Sequence, residues 1–224
     1  MNKLYNIAVI LAGGIGSRVG GTTPKQLLPL EDGRSILEHS VDAFEQASCI
    51  DEIAIVMHPD WIGEAQRLCL QNSWQKVQQI IPGGAERWES SVHAIEAYKG
   101  RPNSTVLLHD AARPFVSQQI IADVCQALET HPAVSVAVPV TDTLYLMNDN
   151  TVKQIPSRSE YMRAQTPQAF YLETIEEAYR RALESGNIIA TDDAGIVHKY
   201  MPEQPIFIVR GDEANKKITY KEDL

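Results

Sequence analysis

The chain has 224 residues, 44% of them hydrophobic and 22% charged, with a formal net charge of -9. That length suits one large domain, or one domain with an excursion, around a proper core, and the composition is that of a soluble globular protein. The acidic balance argues against nucleic acid or an anionic membrane as the main partner, so an anionic ligand must be held by a local cationic pocket.

Lys3 ahead of Ile7 to Ala12 has the outline of a secretory signal, but the apolar run is short and passes into glycines without a clean cleavage site. A buried first strand over Ile7–Leu11 accounts for it better. No segment approaches the roughly 20 apolar residues that cross a bilayer. The strand feeds the loop LAGGIGSRVGGTTPKQ, Leu11 to Gln26. Gly13, Gly14 and Gly16 remove side chains where a backbone must approach a ligand, so their N–H groups can point at phosphate oxygens. Arg18 and Lys25 bring positive charge beside them. The loop does not read as a dinucleotide fingerprint: counting from Gly14, the sixth position is Val19, and the next strand ends in His58 rather than a ribose-binding acid. Nor is it a P-loop, because Thr22 follows Gly21 and the lysine waits until Lys25. The plain alternative is a glycine-rich turn with surface cations.

Further strands are expected at Glu52–Met57, Val77–Ile81, Thr105–His109 and Val134–Val140, each rich in Val, Ile and Leu. Between them run helical faces: Ile36, Leu37, Val41 and Phe44; Val92, Ile95 and Tyr98; Ile120, Ile121, Val124 and Leu128. Alternation of this kind predicts an α/β fold, a mostly parallel twisted sheet with helices on both faces. Ligands on such sheets bind beyond the carboxyl ends of the strands, and polar motifs fall there, after Leu11, Ile81 and Leu108. Regularity breaks at about 141–168. Thr143–Met147 and Thr151–Ile155 flank the turn Asn148-Asp149-Asn150 and predict a hairpin leaving the body. An isolated hairpin is marginal in water, so a second copy of the chain is the economical partner. A helix over Glu173–Leu183 and a last strand over Ile206–Val209 complete one domain, 1–224. Cys49, Cys69 and Cys125 are odd in number and lack metal-ligand spacing, which reads as free thiols in a reducing cytoplasm. His39, His58, His93, His131 and His198 also lack metal spacing, and Trp61, Trp74 and Trp88 read as packing residues.

Four motifs stand out: Gly83-Gly84-Ala85-Glu86-Arg87-Trp88-Glu89-Ser90 after the third strand, His109-Asp110-Ala111-Ala112-Arg113-Pro114 after the fourth, Gln165-Thr166-Pro167-Gln168, which is expected to close the hairpin, and Thr191-Asp192-Asp193-Ala194. The last opens a late helix. The first loop alone resembles the nucleotidyltransferase signature Leu-Ala-Gly-Gly-x-Gly-x-Arg followed by Pro-Lys. With these motifs and Asn215-Lys216-Lys217-Ile218-Thr219, nearly the whole chain resembles the 2-C-methyl-D-erythritol 4-phosphate cytidylyltransferase family. Ribitol 5-phosphate cytidylyltransferases share most of the landmarks.

The resemblance implies a Rossmann-like nucleotidyltransferase with a protruding hairpin that makes a homodimer, transferring CMP from CTP to a sugar-alcohol phosphate with Mg²⁺. It places Ala12, Gly13, Gly14 and Gly16 around the triphosphate, with Arg18, Lys25 and Lys217 as the catalytic cations. It assigns the rest of the nucleotide to Gly84, Ala85, Arg87, Ser90, Asp110 and Ala111, and the acceptor to Arg113, Thr143, Arg158, Thr166 and Thr191. The chemistry agrees: attack on the α-phosphorus by a phosphate already ionised near neutral pH needs fixed positive charge and positioning rather than a dedicated base. Asp110, at a strand end beside the phosphates, suits Mg²⁺, although an Asp there can also cap the next turn. Arg158 suits a phosphomonoester through its planar fork, and equally reads as a solvated arginine on a hairpin. Relatives often carry Asp where this chain has Ala85, which leaves reading of the cytosine edge to backbone groups. They also lead one to expect a closing helix after Leu224. A non-catalytic nucleotide-binding regulator would share the fold, but Arg18, Lys25, Asp110 and Lys217 retained together argue against it.

Overall fold

A computed structural model describes residues 3–14 and 23–223. Nine strands and six α-helices alternate along the described chain: β1 Tyr5–Ala12, α1 Ile36–Glu45, β2 Glu52–Met57, α2 Ile62–Asn72, β3 Val77–Pro82, α3 Arg87–Tyr98, β4 Ser104–Asp110, α4 Gln118–Leu128, β5 Ala133–Pro139, β6 Leu146–Asn148, β7 Thr151–Gln154, β8 Met162–Tyr171, α5 Leu172–Glu184, α6 Asp193–Tyr200 and β9 Phe207–Arg210. Seven strands form one sheet in the order β3-β2-β1-β4-β8-β5-β9. β8 alone runs against its neighbours β4 and β5; the other pairings are parallel.

The inner strands are apolar on both faces because both are covered. Ala8, Ile10 and Ala12 of β1 join Leu37, Val41 and Phe44 of α1 and the buried faces of α2 and α4 in one core. Ile7, Val9 and Leu11, of opposite parity, join Ile95 and Tyr98 of α3 with residues of α5 and α6 in the other. Each fully buried large side chain in these layers contributes on the order of 1.5–3 kcal/mol. Caps define the helix starts: the Ser35 hydroxyl accepts the Glu38 N–H while Glu38 returns a bond to the Ser35 backbone, and Asp192 accepts the Gly195 N–H at 2.8 Å.

The expected strands in the first 140 residues are present to within one or two positions. The arm needs correction. Its hairpin is shorter, with β6 and β7 paired across Asp149 in a left-handed conformation at φ 48°. Gln165-Thr166-Pro167-Gln168 does not close the hairpin; it lies in β8, at the centre of the sheet. The excursion therefore ends where β8 begins, at Met162 rather than Gln168. A proline argues against a central strand because it withdraws a ladder donor. β8 accommodates it with a bulge: Ser135 pairs with Gln168, and the next residue, Val136, pairs with Gln165. Lys221–Asp223 forms a single 3-10 turn.

Candidate active site

The carboxyl ends of β1 and β4 and the loop after β3 enclose a cleft of about 460 Å³. Of the expected residues, Ala12, Gly13, Gly14, Lys25, Gly84, Ala85, Arg87, Ser90, Asp110, Ala111 and Lys217 line it. Gly16 and Arg18 lie outside the described residues. Gly13 is required by close approach: a Cβ there would sit 2.9 Å from the Ser90 Oγ and 3.4 Å from the Gly83 Cα. Gln26, directly after Lys25, is a wall residue not anticipated above. Its buried amide donates to the Ala12 carbonyl and, at 2.8 Å, to the Gly14 carbonyl, pinning the loop. A glutamine fixed beside a lysine in Pro-Lys-Gln was the available signal, since buried amides must be satisfied.

The opposite wall is the loop before α3. The Ala85 and Glu86 N–H groups both donate to the Glu89 carboxylate, at 2.6 and 3.1 Å, and the Gly84 N–H donates to the Ser90 Oγ at 3.1 Å. A side chain at Gly84 would run into Glu89. These backbone donors are therefore engaged within the loop.

Charge concentrates on Asp110, the last residue of β4. Arg87 Nε donates to its Oδ1 at 3.0 Å and Lys217 Nζ to its Oδ2 at 2.6 Å. Burial would raise the Asp110 carboxyl, but the Arg87 and Lys217 charges and their hydrogen bonds overcome it and hold the group well below the usual carboxylate range. Lys217 reaches the site on a tail stitched to the sheet: Arg113 Nη1 donates to the Asn215 carbonyl at 2.8 Å, Asn215 Nδ2 to the Thr166 carbonyl at 2.9 Å, and the Ile218 N–H to the Ala112 carbonyl at 2.8 Å. Lys25 Nζ donates to the Ile218 carbonyl at 2.7 Å, which ties the first loop to that tail.

The acceptor residues divide. Thr166 is buried behind Asp110, where its hydroxyl accepts the Asp110 N–H and faces His109 Nδ1, each at 3.1 Å. His109 Nε2 lies 3.0 Å from the Arg113 carbonyl, which can only accept, so the proton sits on Nε2 and Nδ1 accepts from Thr166. Arg113 also donates to the Ala164 carbonyl, at 3.3 Å. Thr143, Arg158 and Thr191 are exposed and do not line the cleft of their own chain. Arg158 donates to the Thr141 carbonyl at 2.6 Å on the arm.

A divalent cation fits at Asp110. Among the described residues no group of three or more His, Cys, Asp or Glu side chains could cage a metal. A single ionised carboxylate lining the cleft could nonetheless hold Mg²⁺ when substrate oxygens and waters complete its shell, in place of Lys217 or Arg87 on one of its oxygens.

The family model for 2-C-methyl-D-erythritol 4-phosphate cytidylyltransferase matches residues 6–224. The chain belongs to this family. A 2-C-methyl-D-erythritol 4-phosphate cytidylyltransferase from Thermobifida fusca is 43% identical over 223 residues, covering 97% of this chain and 89% of its own. A bifunctional ribulose 5-phosphate reductase/CDP-ribitol pyrophosphorylase from Haemophilus influenzae is 40% identical over 227 residues; the match spans all of this chain but 48% of that protein. Among solved structures, 4-diphosphocytidyl-2C-methyl-D-erythritol synthase from Anaerococcus prevotii superposes with a TM-score of 0.85 at 28% identity, covering 99% of this chain and 93% of that one. The cytidylyltransferase family thus accounts for the sheet. It is a nucleotidyltransferase family, and this chain is an enzyme of that class.

Proposed function

We propose that the protein transfers the cytidylyl group of CTP to 2-C-methyl-D-erythritol 4-phosphate. An oxygen of the acceptor phosphate forms the new bond to the α-phosphorus, the bond from that phosphorus to the β-phosphate bridging oxygen breaks, and pyrophosphate leaves. The observation that carries this reading is the meeting, in one cleft, of a glycine loop from the start of the chain, Asp110 from its middle and Lys217 from its end.

Negative charge gathers on the non-bridging oxygens and the departing pyrophosphate. Lys217, carried by the tail, and Lys25, held on the Ile218 carbonyl of the same tail, meet that charge. Gly13 and Gly14 offer backbone donors, with Gly16 and Arg18 assigned to the same loop by the family pattern. The loop of Gly84 and Ala85, its amides occupied, meets the cytosine amine with carbonyl oxygens. Asp110 would hold Mg²⁺, which neutralises triphosphate charge when bound. Arg113 and Thr166 serve the acceptor chiefly by fixing the tail and the end of β4. Arg158 and Thr143, on the arm, contact acceptor in a homodimer in which the arm reaches the neighbouring cleft; Thr191, just before α6, is assigned to the acceptor by the family pattern alone. Exposed Tyr145, Met147, Val152 and Ile155 on the arm support that assembly, and the free thiols of Cys49, Cys69 and Cys125 support a reducing cytoplasm. No described helix is long and apolar enough to cross a membrane.

Ribitol 5-phosphate is the second reading, favoured by the 40% identity to the CDP-ribitol pyrophosphorylase over the full chain. Steady-state pyrophosphate release with CTP or UTP, against each acceptor, separates the readings. Methylerythritol phosphate with CTP should give the highest kcat/KM; a preference for ribitol 5-phosphate moves the enzyme to the second reading, and equal rates with UTP would show that the base loop does not select cytosine.

A further inference from the structure

We propose that Asp193 is a positioning residue that keeps Arg87 from closing as a fork on Asp110, and so leaves Asp110 Oδ2 to Lys217 and, when the triphosphate draws that lysine away, to a divalent cation. This rests on the reading that Asp110 holds the cation beside the triphosphate. Arg87 opens α3 and divides its guanidinium between two carboxylates: Nε to Asp110 Oδ1 at 3.0 Å and Nη1 to Asp193 Oδ2 at 2.8 Å. Nη2, which shares an edge with Nε, is buried and has no partner among the described residues. An arginine beside one carboxylate ordinarily uses that edge as a two-pronged fork. Here half of the fork is made, and the second prong stops short of Asp110 Oδ2, where Lys217 sits at 2.6 Å.

The restraint comes from behind. Asp193 is fully buried, and its Oδ1 accepts the Tyr179 hydroxyl at 2.7 Å. Its backbone is clamped as well, because Gln168 of β8 donates to Asp192 Oδ2 at 2.8 Å and accepts the Ala194 N–H at 2.9 Å. The two cations and two carboxylates of the cluster balance. With Asp193 neutral, Asp110 becomes the only counterion of a buried guanidinium, and an unmatched buried charge is costly. Arg87 then closes on both Asp110 oxygens and competes with whatever else binds there.

The test is Mn²⁺ binding, followed by its paramagnetic signal, to protein saturated with a CTP analogue whose α and β phosphates are joined by a methylene group. Asp193→Asn should weaken Mn²⁺ binding about tenfold, the scale seen when a group that orients a metal ligand is lost. The double variant Asp193→Asn with Arg87→Gln, held at a concentration of the analogue that saturates it, has no fork to close and should bind Mn²⁺ more tightly than Asp193→Asn alone. Unchanged affinity in Asp193→Asn, or a double variant as weak as the single one, overturns the role. Should Asp193→Asn not fold, Tyr179→Phe keeps every charge but frees Asp193, and about threefold weaker binding is expected; no change there overturns the role equally. Wild-type protein that binds no Mn²⁺ overturns the metal reading and this role with it. Failure to turn over methylerythritol phosphate would leave the binding result intact and overturn the proposed acceptor alone.

Discussion

Lys217 and His109 show how differently two residues near one carboxylate behave. Lys217 is bonded to Asp110, and in the proposed reaction its charge is worth most when the α-phosphorus is attacked. Lys217→Ala should lower kcat by roughly 10² or more with a small change in KM for CTP; steady-state kinetics showing an unchanged kcat and a raised KM would assign the lysine to ground-state binding. His109 does no chemistry in this account. Burial pushes its imidazole down to about 4, against an ordinary value of 6.5, so the folded protein keeps it neutral while the unfolded chain takes up a proton below pH 6.5. Its contribution is therefore fully present above pH 6.5 and lost as the pH falls toward 4, amounting to about 3 kcal/mol. Urea unfolding across that window should show a steeper loss for wild type than for His109→Gln. Equal losses would remove His109 from the acid sensitivity.

At the level of elements, β8 decides the geometry of the site. Gln165 donates to the Asp212 carbonyl at 2.8 Å, Thr166 holds the end of β4, and Gln168 holds the start of α6. A central strand with buried polar side chains reads poorly from sequence, because strand recognition rests on apolar alternation and this segment also carries Pro167. β1, β2 and β4 were legible for the opposite reason: apolar residues run nearly unbroken where both sheet faces are covered. α2 was not anticipated, since Ala65 and Leu68 are its only buried residues and leave little periodicity. The hairpin of β6 and β7, on which the proposed homodimer rests, exposes Leu146 and Met147 at 48% each. Deleting Tyr145 to Val152 and closing the gap with a short turn should give monomers in sedimentation. A dimer surviving the deletion would put the interface elsewhere.

For the whole molecule, the phosphate side of the cleft was readable because glycines and cations at a strand end have few other uses. The pairing of Arg87 with Asp193 was not, for it joins residues 106 positions apart through a fold that brings α3 and α6 together. Placement of Lys217 likewise depends on a tail crossing β4 and β8, which no local pattern encodes. The first loop and the Lys217 tail meet only in the folded cleft, and the central claim is that this cleft couples CTP directly to an acceptor phosphate. A ³¹P magnetic resonance time course with CTP, methylerythritol phosphate and Mg²⁺ tests it most directly. Pyrophosphate and a diphosphate diester should appear in equal amounts, and neither should form when the acceptor is left out. Pyrophosphate released without acceptor, or a signal from a cytidylylated protein, would contradict direct transfer.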